Sequence, residues 1–417
     1  MTRTVLPGMR RGSVKIPASK SQAHRYLICA ALSERPSDIF CDGMSKDILA
    51  TADCLNALGA GISVTGSIIH VEPVRCRDKS GCTLRCGESG STLRFLLPVA
   101  GALGAEGCFV MEGRLPERPL HPYDSELMSH GMNICRDGDR LRFSGRLRAG
   151  EYTLPGNVSS QYVSGLLMAL PLLSGDSALH IEGPLESAGY VSMTLEALQR
   201  AGVRMDGSAG CYLIPGGQTF RMPAALTVEG DYSNAAFFLC AGALSDLGVT
   251  VTGLRGNSVQ GDRRIAEILA GFGAEVSAGE TEITVRRGKL RGQTVDASMI
   301  PDLVPALSVV AAAAEGVTRF VNAGRLRLKE SDRLESTAGM LTGLGADVSV
   351  TDDGLVINGR PALDGGTVDS CGDHRIAMAA AVAACVCRGP VSVLAPQCVQ
   401  KSYPRFWDDF SSLEVVR

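Results

Sequence analysis

The sequence predicts an α/β protein built from six similar units of about 70 residues, grouped as two lobes of three units. Polar segments that open runs of small apolar residues recur every 69 to 73 residues, at Ser21, Ser91, Ser160, Ser233, Asp302 and Asp373. Glycines that end a helical pattern and precede a short strand recur every 71 or 72 residues, at Gly59, Gly131, Gly202, Gly273 and Gly345. Six such units account for nearly all of the 417 residues.

The overall composition limits the classes of partner. A net charge of −3 and a single tryptophan argue against nucleic-acid binding, which favours a basic surface and aromatic side chains for stacking. Residues 1–11 contain no apolar stretch typical of a secretory signal. The longest apolar run, 376–387, is shorter than the roughly 18 residues that a membrane-spanning helix needs. We therefore expect a cytoplasmic protein with no membrane partner and no nucleic-acid partner.

The cysteine pattern gives no sign of a metal site. The 14 cysteines are scattered along the chain, and the close pairs are Cys82 with Cys86 and Cys385 with Cys387. Neither pair has the CxxC spacing or the histidine partners of a zinc site. We predict reduced thiols that are buried as small hydrophobic side chains, and no bound metal.

The first unit opens with a basic helix start. Ser19 or Ser21 can cap this helix, and Lys20 and Arg25 add two cations to its first turns. Because a helix N-terminus already presents unpaired N–H groups and partial positive charge, the added cations favour binding of an anion. The alternative is a solvated basic turn.

The second unit contains a Gly-Ser loop, residues 87–92, ahead of a helix with leucines at helical spacing. Gly90 lets backbone amides approach an oxyanion closely, and Arg94 adds a cation one turn later. A plain turn is the alternative for this loop. Further on, Arg118 lies between Pro116 and Pro119, a rigid setting that lowers the entropic cost of ordering a ligand-binding side chain.

The third unit has an unusually polar helix start. Ser159, Ser160 and Gln161 are consecutive, and three polar side chains exceed what helix capping needs. At least one of them is therefore expected to face a ligand. Ser187 precedes the following helix, where an ordinary N-cap explains it equally well.

The fifth and sixth units combine carboxylates with cations at their helix starts. Asp302 precedes an apolar helix, where an N-cap is the alternative to a functional carboxylate. Lys329 and Glu330 lie in the loop before another helix, and Arg333 lies in its first turn. A cation there opposes the helix dipole at a cost of about 0.3–1 kcal/mol, so an anionic ligand is expected to remove the conflict. Arg375 repeats this arrangement at the sixth helix.

Cations recur at helix starts in both halves of the chain although the net charge is negative. The candidates are Lys20, Arg25, Arg94, Arg118, Lys329, Arg333, Arg375 and Lys401. A lobe boundary fits near residues 227–231, where the fourth unit begins. A cleft between lobes in which these helix starts converge would concentrate small anions.

These stretches resemble the 3-phosphoshikimate 1-carboxyvinyltransferase family of enolpyruvyl transferases along essentially the whole chain. The matching segments are 19–21 with Arg25, 87–94, 117–119, 159–161, 301–302, 329–333, 373–375 and Lys401. The resemblance implies a two-lobed inside-out α/β barrel of six βαβαββ repeats, three per lobe, with helices inside and sheets outside. It further implies lobes of residues 15–228 and of 1–14 with 229–417, an active site in the interdomain cleft, and a monomer.

The activity that the resemblance implies is transfer of the enolpyruvyl group of phosphoenolpyruvate to the 5-hydroxyl of shikimate 3-phosphate, in the shikimate pathway of aromatic amino-acid biosynthesis. The residues implied to bind shikimate 3-phosphate are Lys20, Ser21, Arg25, Ser159, Ser160, Ser187, Asp302 and Lys329. Those implied to bind phosphoenolpyruvate are Lys20, Gly90, Arg118, Gln161, Arg333, Arg375 and Lys401. We expect Asp302, Glu330 and Lys20 to be catalytic, with no cofactor and no metal.

Two positions depart from the family pattern, and two other functions are open. Arg325 stands where family members often have a substrate-binding asparagine, and Glu88 replaces an asparagine common ahead of the Gly-rich loop. The nearest alternative is an enolpyruvyl transferase that acts on UDP-N-acetylglucosamine. Gly113, where many members of that group have a loop cysteine, and a serine after Lys20 both disfavour it. The other alternative is a non-catalytic anion-binding protein on the same fold.

Overall fold

A computed structural model of the chain describes residues 1–208 and 210–416. It divides into two compact units. The continuous unit is Ser19–Val228, and the discontinuous unit combines Met1–Ala18 with Glu229–Arg417. Two strands precede the continuous unit, β1 (Thr2–Val5) and β2 (Met9–Lys15).

The continuous unit contains three successive sets of helices and strands. The first set is α1 (Lys20–Ala31), β3 (Ser37–Phe40), α2 (Lys46–Ala57), β4 (Gly61–Thr65) and β5 (Ile68–Glu72). The second is β6 (Cys82–Gly87), α3 (Gly90–Leu103), β7 (Gly107–Met111), α4 (Tyr123–Ser129), β8 (Met132–Asp137) and β9 (Arg140–Gly145). The third is β10 (Glu151–Pro155), α5 (Ser160–Ala169), β11 (Ser177–Glu182), α6 (Ala188–Arg200), β12 (Asp206–Ser208) and β13 (Cys211–Ile214), followed by β14 (Ala225–Thr227).

Each set forms one four-stranded sheet with the same topology. The strand orders are β14-β3-β5-β4, β6-β7-β9-β8 and β10-β11-β13-β12. In each sheet the first two strands in this order are parallel, and the last two form an antiparallel hairpin. The second and third sets are therefore βαβαββ repeats in chain order. In the first set the opening strand is β14, which comes from the far end of the unit.

The helices α1, α3 and α5 form the interior of the continuous unit. Every residue of α3 except Ser91, and every residue of α5 except Gln161, is buried. The strands instead alternate buried and exposed residues, as in β6 and β10. A sheet that alternates in this way has one face on the core and the other in water. These three helices therefore lie inside this unit, with the sheets outside.

The discontinuous unit repeats the plan with strands from both chain ends. Its further elements are α7 (Tyr232–Ala243), β15 (Val249–Thr252), α8 (Ile265–Phe272), β16 (Glu275–Ala278), β17 (Glu282–Arg286), β18 (Thr294–Asp296), α9 (Val304–Ala313), β19 (Val317–Val321), α10 (Arg333–Gly343), β20 (Asp347–Thr351), β21 (Gly354–Asn358), β22 (Gly366–Asp369), α11 (His374–Ala383), β23 (Val391–Leu394), α12 (Phe406–Ser412) and β24 (Glu414–Val416). The strand orders are β16-β17-β15-β2-β24, β18-β19-β21-β20 and β1-β23-β22. Nearly all residues of α7, α9 and α11 are buried, so these helices are again interior.

The N-terminal segment of the discontinuous unit is four residues longer than predicted. Lys15 is the last residue of β2 and pairs with Thr252. The Pro17 carbonyl accepts a hydrogen bond of 3.0 Å from the Asp231 N–H, and Ala18 bridges Gly230. These backbone bonds hold residues 15–18 to β15 and to the segment just before α7, so the division falls after Ala18 instead of after residue 14.

Within the described part of the chain, no helix combines the length and the apolar character needed to cross a membrane.

Candidate functional site

The predicted site residues fall into two clusters, one in each unit. In the continuous unit, Ser19 caps α1, since its hydroxyl accepts from the Gln22 N–H, and Ser21 lies inside the helix. Lys20 is the first residue of α1, and its Nζ lies 3.0 Å from Oδ2 of Asp47 on α2. Both side chains are largely buried, at 16% and 6% exposure. The Lys20 cation is therefore held at the helix start, and the alternative of a solvated turn is wrong.

Arg25 is buried between helices of the continuous unit. Its Nε donates to Thr194 Oγ1 at 2.7 Å, and its two terminal nitrogens donate to the carbonyls of Ser21 at 2.6 Å and Tyr190 at 2.7 Å. Burial lowers the pKa of Arg25 to about 10, so it remains a cation at neutral pH. These bonds join α1 to α6. A direct contact between Arg25 and shikimate 3-phosphate stays a prediction.

The start of α3 brings two guanidinium groups against one glycine. Ser89 caps the helix by accepting from the Thr92 N–H. A Cβ atom built on Gly90 would lie 2.7 Å from Nη1 of Arg94 and 2.9 Å from Nη1 of Arg118. Only glycine fits there without displacing the two side chains. The helix start therefore combines backbone amides with two cations, which is the composition of an anion site.

Gln161 connects this helix start to α5. Its Oε1 accepts from Arg94 Nη1 at 2.7 Å, and its Nε2 donates to Ser91 Oγ at 2.9 Å. Ser159 caps α5 by accepting from the Gln161 N–H at 3.3 Å. Arg94, a cation with no ligand assigned to it from the sequence, thus lies between two residues predicted to bind phosphoenolpyruvate, Gln161 and Gly90.

Two further serines of the predicted set are buried. Ser160 is the first residue of α5 and is 4% exposed. Ser187 occupies the N-cap position of α6 in a left-handed conformation, with φ of 55°, and its side chain makes no capping hydrogen bond. An ordinary N-cap therefore does not explain Ser187.

In the discontinuous unit, one arginine joins three carboxylates. Arg333, the first residue of α10, donates from Nε to Asp373 at 2.7 Å, from Nη1 to Asp302 at 2.7 Å and from Nη2 to Glu330 at 2.6 Å. Its side chain is 1% exposed and Asp373 is fully buried. Arg333 is therefore placed to organise the carboxylates of the cluster. Its contact with phosphoenolpyruvate stays a prediction.

These carboxylates also change the expected role of a ligand. From the sequence, an anionic ligand is expected to offset the unfavourable position of Arg333 at a helix start. In the structure, side chains of the chain itself provide that compensation. The three carboxylates raise the pKa of Arg333 in spite of its burial.

Asp302 is surrounded by three cations. Its carboxylate lies 2.7 Å from Arg333, 3.0 Å from Arg375 and 3.6 Å from Lys329. Burial alone would raise the pKa of Asp302, but the three cations hold it well below its usual range. The N-cap of α9 is Leu303, so the alternative of Asp302 as a helix cap is wrong.

Two lysines complete the predicted set. Burial lowers the pKa of Lys329 to about 8, against the opposing effect of Asp302. Lys329 therefore stays mostly protonated at neutral pH but close to its titration range. Lys401 is 6% exposed and ends a short 3-10 helix, Pro396–Lys401, that contacts α11.

Asp262 belongs to this cluster although it was not among the residues predicted from sequence. Its side chain is 3% exposed, and its Oδ2 accepts a hydrogen bond from the hydroxyl of Ser233, near the start of α7. Burial raises the pKa of Asp262 to about 7; the charges of Asp302 and Asp231 add to this effect, and Arg375 opposes it. No sequence spacing relates residue 262 to residue 302, so only the fold brings the two carboxyl groups close.

Replacing Asp262 by asparagine should stabilise the protein above neutral pH. An unfolded aspartate ionises near pH 4, whereas the folded one retains its proton up to about pH 7. The folded state therefore binds more protons across this window, and stability falls as pH rises from about 4 to 7. We expect the melting temperature of Asp262→Asn to exceed that of the wild type at pH 8, with the difference shrinking toward pH 5. The asparagine side chain retains an oxygen that can accept from Ser233.

Asp246→Asn is the matched control, because Asp246 is an exposed aspartate on the same unit. Its melting temperature should differ from the wild type by a small amount that does not depend on pH. A pH-independent difference for Asp262→Asn as well would contradict the assignment of a raised pKa.

Among residues 1–208 and 210–416, no group of three or more histidine, cysteine, aspartate or glutamate side chains is arranged to hold a metal ion.

Comparison with known proteins assigns the chain to a family. The sequence profile of the family described as EPSP synthase (3-phosphoshikimate 1-carboxyvinyltransferase) matches residues 7–410. A protein of Clostridium kluyveri named 3-phosphoshikimate 1-carboxyvinyltransferase is 43% identical over 98% of this chain and 96% of its own length. The protein of that name from Clostridium acetobutylicum is 42% identical over 98% and 96%.

Solved structures of the same fold agree with this result. An EPSP synthase structure from Acinetobacter baumannii superposes with a TM-score of 0.81 at 24% identity, covering all of both chains. The enolpyruvyl transferase NikO from Streptomyces tendae gives a TM-score of 0.79 at 18% identity, covering 100% of this chain and 97% of its own. At these identities the likeness concerns the fold alone, and it confirms the predicted α/β fold class. With its profile match and its close relatives, the chain belongs to the EPSP synthase (3-phosphoshikimate 1-carboxyvinyltransferase) family.

Proposed function

We propose that this protein is a 3-phosphoshikimate 1-carboxyvinyltransferase. It transfers the enolpyruvyl group of phosphoenolpyruvate to the 5-hydroxyl of shikimate 3-phosphate and releases phosphate. Relatives that are 40–43% identical over nearly the whole chain carry this name. The observation in the structure that best supports the reaction is the Asp302 carboxylate. Three cations keep it ionised, and one of them, Arg333, also binds Glu330.

Binding depends on cations and helix starts in both units. Each substrate has one phosphate and one carboxylate, so four anionic groups must be held at once. Charge-assisted hydrogen bonds, worth roughly 1.5–3 kcal/mol each, offset their mutual repulsion. Phosphoenolpyruvate is assigned to Lys20, Gly90, Arg118, Gln161, Arg333, Arg375 and Lys401. Shikimate 3-phosphate is assigned to Lys20, Ser21, Arg25, Ser159, Ser160, Ser187, Asp302 and Lys329. The proposal requires both clusters to act on one pair of substrates.

The chemistry is an addition followed by an elimination. Asp302 takes the proton of the 5-hydroxyl of shikimate 3-phosphate as the hydroxyl oxygen attacks the central carbon of phosphoenolpyruvate. Glu330, with Lys20, delivers a proton to the methylene carbon, which becomes a methyl group in a tetrahedral intermediate. Loss of phosphate and return of one methyl proton restore the vinyl group. Acid–base steps of this kind contribute about 10²–10⁴ in rate, and positioning two reactants supplies about 7–11 kcal/mol.

Substrate binding itself is expected to activate Asp302. Arg375 and Lys329 lie 3.0 and 3.6 Å from this carboxylate. A phosphate or carboxylate of a substrate competes for the same cations. As they turn toward the ligand, their hold on Asp302 weakens, and the pKa of this carboxyl rises from its low value. A more basic carboxylate then forms only when the substrates are present.

Phosphate release tests the proposal. Purified protein is given phosphoenolpyruvate with shikimate 3-phosphate, with UDP-N-acetylglucosamine, or with no acceptor. We expect release with shikimate 3-phosphate alone. Release with the UDP-sugar instead would identify the sister transferase, and no release with either acceptor would favour the non-catalytic alternative.

Removal of Arg118 should mainly weaken the binding of phosphoenolpyruvate. Its guanidinium lies against Gly90 at the start of α3, and a charged hydrogen bond contributes roughly 1.5–3 kcal/mol. We expect Arg118→Ala to raise KM for phosphoenolpyruvate by about 10- to 100-fold. KM for shikimate 3-phosphate should change much less. Arg114→Ala removes an arginine of the same segment that forms an exposed pair with Glu117, and it should leave both constants near wild type. Unchanged phosphoenolpyruvate affinity in Arg118→Ala would exclude the assigned role.

A further inference from the structure

A chain of buried hydrogen bonds crosses three helices of the continuous unit. Nδ1 of His24 on α1 lies 2.6 Å from Oγ1 of Thr51 on α2, which lies 2.6 Å from Oγ1 of Thr92 on α3. Thr92 Oγ1 in turn donates to Oγ of Ser89, the N-cap of α3, at 2.7 Å. All four residues are 0% exposed. The reaction proposed above uses none of them, so the chain requires another explanation.

The hydrogen bonds of this chain run in one direction. Ser89 Oγ accepts from the hydroxyl of Thr92, which uses the single hydrogen of Thr92. The hydroxyl of Thr51 must therefore donate to Thr92, and its oxygen must accept from His24. It follows that Nδ1 of His24 carries a proton. Aligned hydrogen bonds in a dry interior polarise and strengthen one another.

The chain runs beside a second link between the same helices. Lys20 and His24 are four residues apart on α1, and Asp47 and Thr51 are four residues apart on α2, so each pair shares one helix face. Lys20 binds Asp47 at 3.0 Å, and His24 binds Thr51 one turn further along. The link to Thr92 then extends this arrangement to α3. Lys20 and the tip of α3 are thus joined through a rigid buried path.

We propose that the chain formed by His24, Thr51, Thr92 and Ser89 is a positioning device. It fixes the start of α3, with Gly90, relative to Lys20, and His24 acts as its Nδ1–H donor. This inference rests on the proposed function, in which Lys20 and Gly90 hold phosphoenolpyruvate together. A ligand clamped from two helices binds well only if the two helix starts keep their spacing, because charge-assisted hydrogen bonds weaken steeply once their distances and angles are lost.

The kinetic test compares three variants of the full-length enzyme. Thr51→Val preserves the shape of the side chain but interrupts the chain of hydrogen bonds. We expect KM for phosphoenolpyruvate to rise roughly tenfold. kcat should change by less than about threefold, since the lost interaction affects binding in the ground state and the transition state alike. Thr51→Ser retains the hydroxyl and should restore KM to within about twofold of wild type.

The matched control is Thr318→Val. Thr318 is also 0% exposed, and its hydroxyl has no hydrogen-bond partner among the described residues. The same chemical change there should leave both kinetic constants at their wild-type values. The proposal is overturned if Thr51→Val retains the wild-type KM. It is also overturned if Thr51→Ser, which retains the hydroxyl, is as impaired as Thr51→Val, because the loss would then not follow the hydrogen bond.

A spectroscopic measurement tests the chain without relying on activity. Long-range ¹H–¹⁵N spectra of protein labelled with ¹⁵N-histidine report which ring nitrogen carries a proton, and loss of a signal in His24→Asn assigns residue 24. We expect a proton on Nδ1 of His24 in the wild type, and a shift toward the other tautomer in Thr51→Val. A wild-type His24 without a proton on Nδ1 overturns the inference even if Thr51→Val does not fold. If the proposed reaction fails instead, no phosphate is released by the wild type, and the tautomer can still be read.

Discussion

Asp302→Asn is expected to lower kcat by about 100-fold or more while substrate binding is retained, because asparagine cannot accept the proton of the attacking hydroxyl. The substitution is nearly isosteric, and it removes a carboxylate that competes with the anionic substrates for Arg375 and Lys329. The asparagine oxygen can still accept a hydrogen bond from the substrate, so affinity for shikimate 3-phosphate should stay close to that of the wild type. Steady-state phosphate release gives kcat, and isothermal titration gives the affinity.

The control for Asp302→Asn is Asp352→Asn, which removes an exposed aspartate in a turn of the same unit. Its kcat and affinity should both match the wild type. Wild-type turnover by Asp302→Asn would remove Asp302 from the mechanism. Loss of binding together with turnover would instead indicate that Asp302 mainly holds the substrate or the cluster.

Arg333→Met is expected to destabilise the protein by about 3–5 kcal/mol, because it leaves buried carboxylates without their shared cation. Asp373 is fully buried, and among the hydrogen bonds that its carboxylate accepts is one of 2.7 Å from Nε of Arg333. A lysine substituted for Arg333 would have a single ammonium group, so it could not reproduce the three hydrogen bonds that the planar guanidinium makes. Equilibrium unfolding in urea measures the loss, and catalytic activity should disappear with it.

A second substitution tests the cause of this destabilisation. Asp373→Asn, added to Arg333→Met, removes the uncompensated charge and should restore part of the lost free energy of unfolding. Arg286→Met breaks an ion pair with Glu275 in which both side chains are more than half exposed, and it should cost no more than about 1 kcal/mol. A loss for Arg333→Met as small as that of Arg286→Met would refute the role of Arg333.

The repeat pattern could be predicted from sequence because each unit carries its own local signals. Helix starts such as Ser160 and glycines such as Gly273 act within a few residues of where they stand, so their spacing reports the repeat directly. The strands that complete the first and fourth sheets could not be found in this way. β14 and β2 pair with partners that are distant in sequence, β3 and β15. Local patterns contain no information about which distant strand completes a sheet.

The cations of the site could be predicted from the sequence, but the carboxylates that pair with them could be predicted only in part. Lys20, Arg118 and Arg375 stand out because a cation at a helix start or between prolines is unusual for structure alone. Asp47 and Asp262 did not stand out, because each lies in the first turn of a helix, where a carboxylate is common. Their importance comes from the residues that the fold brings next to them. Resemblance to a family supplied ligand assignments for Arg25 and Arg333. Both side chains are buried and hydrogen-bonded to other residues, so contact with a ligand stays a prediction for each.

The arrangement of β2 has a consequence for synthesis on the ribosome. This strand lies between β15 and β24 in a five-stranded sheet, yet it is translated before the entire continuous unit, Ser19–Val228. At about 5–20 residues per second, its partner β15 emerges tens of seconds later. The nascent N-terminus must stay unpaired over that interval while the continuous unit already has all of its own strands. A bulky fusion ahead of β2 is therefore expected to impair folding of the discontinuous unit, which is completed last.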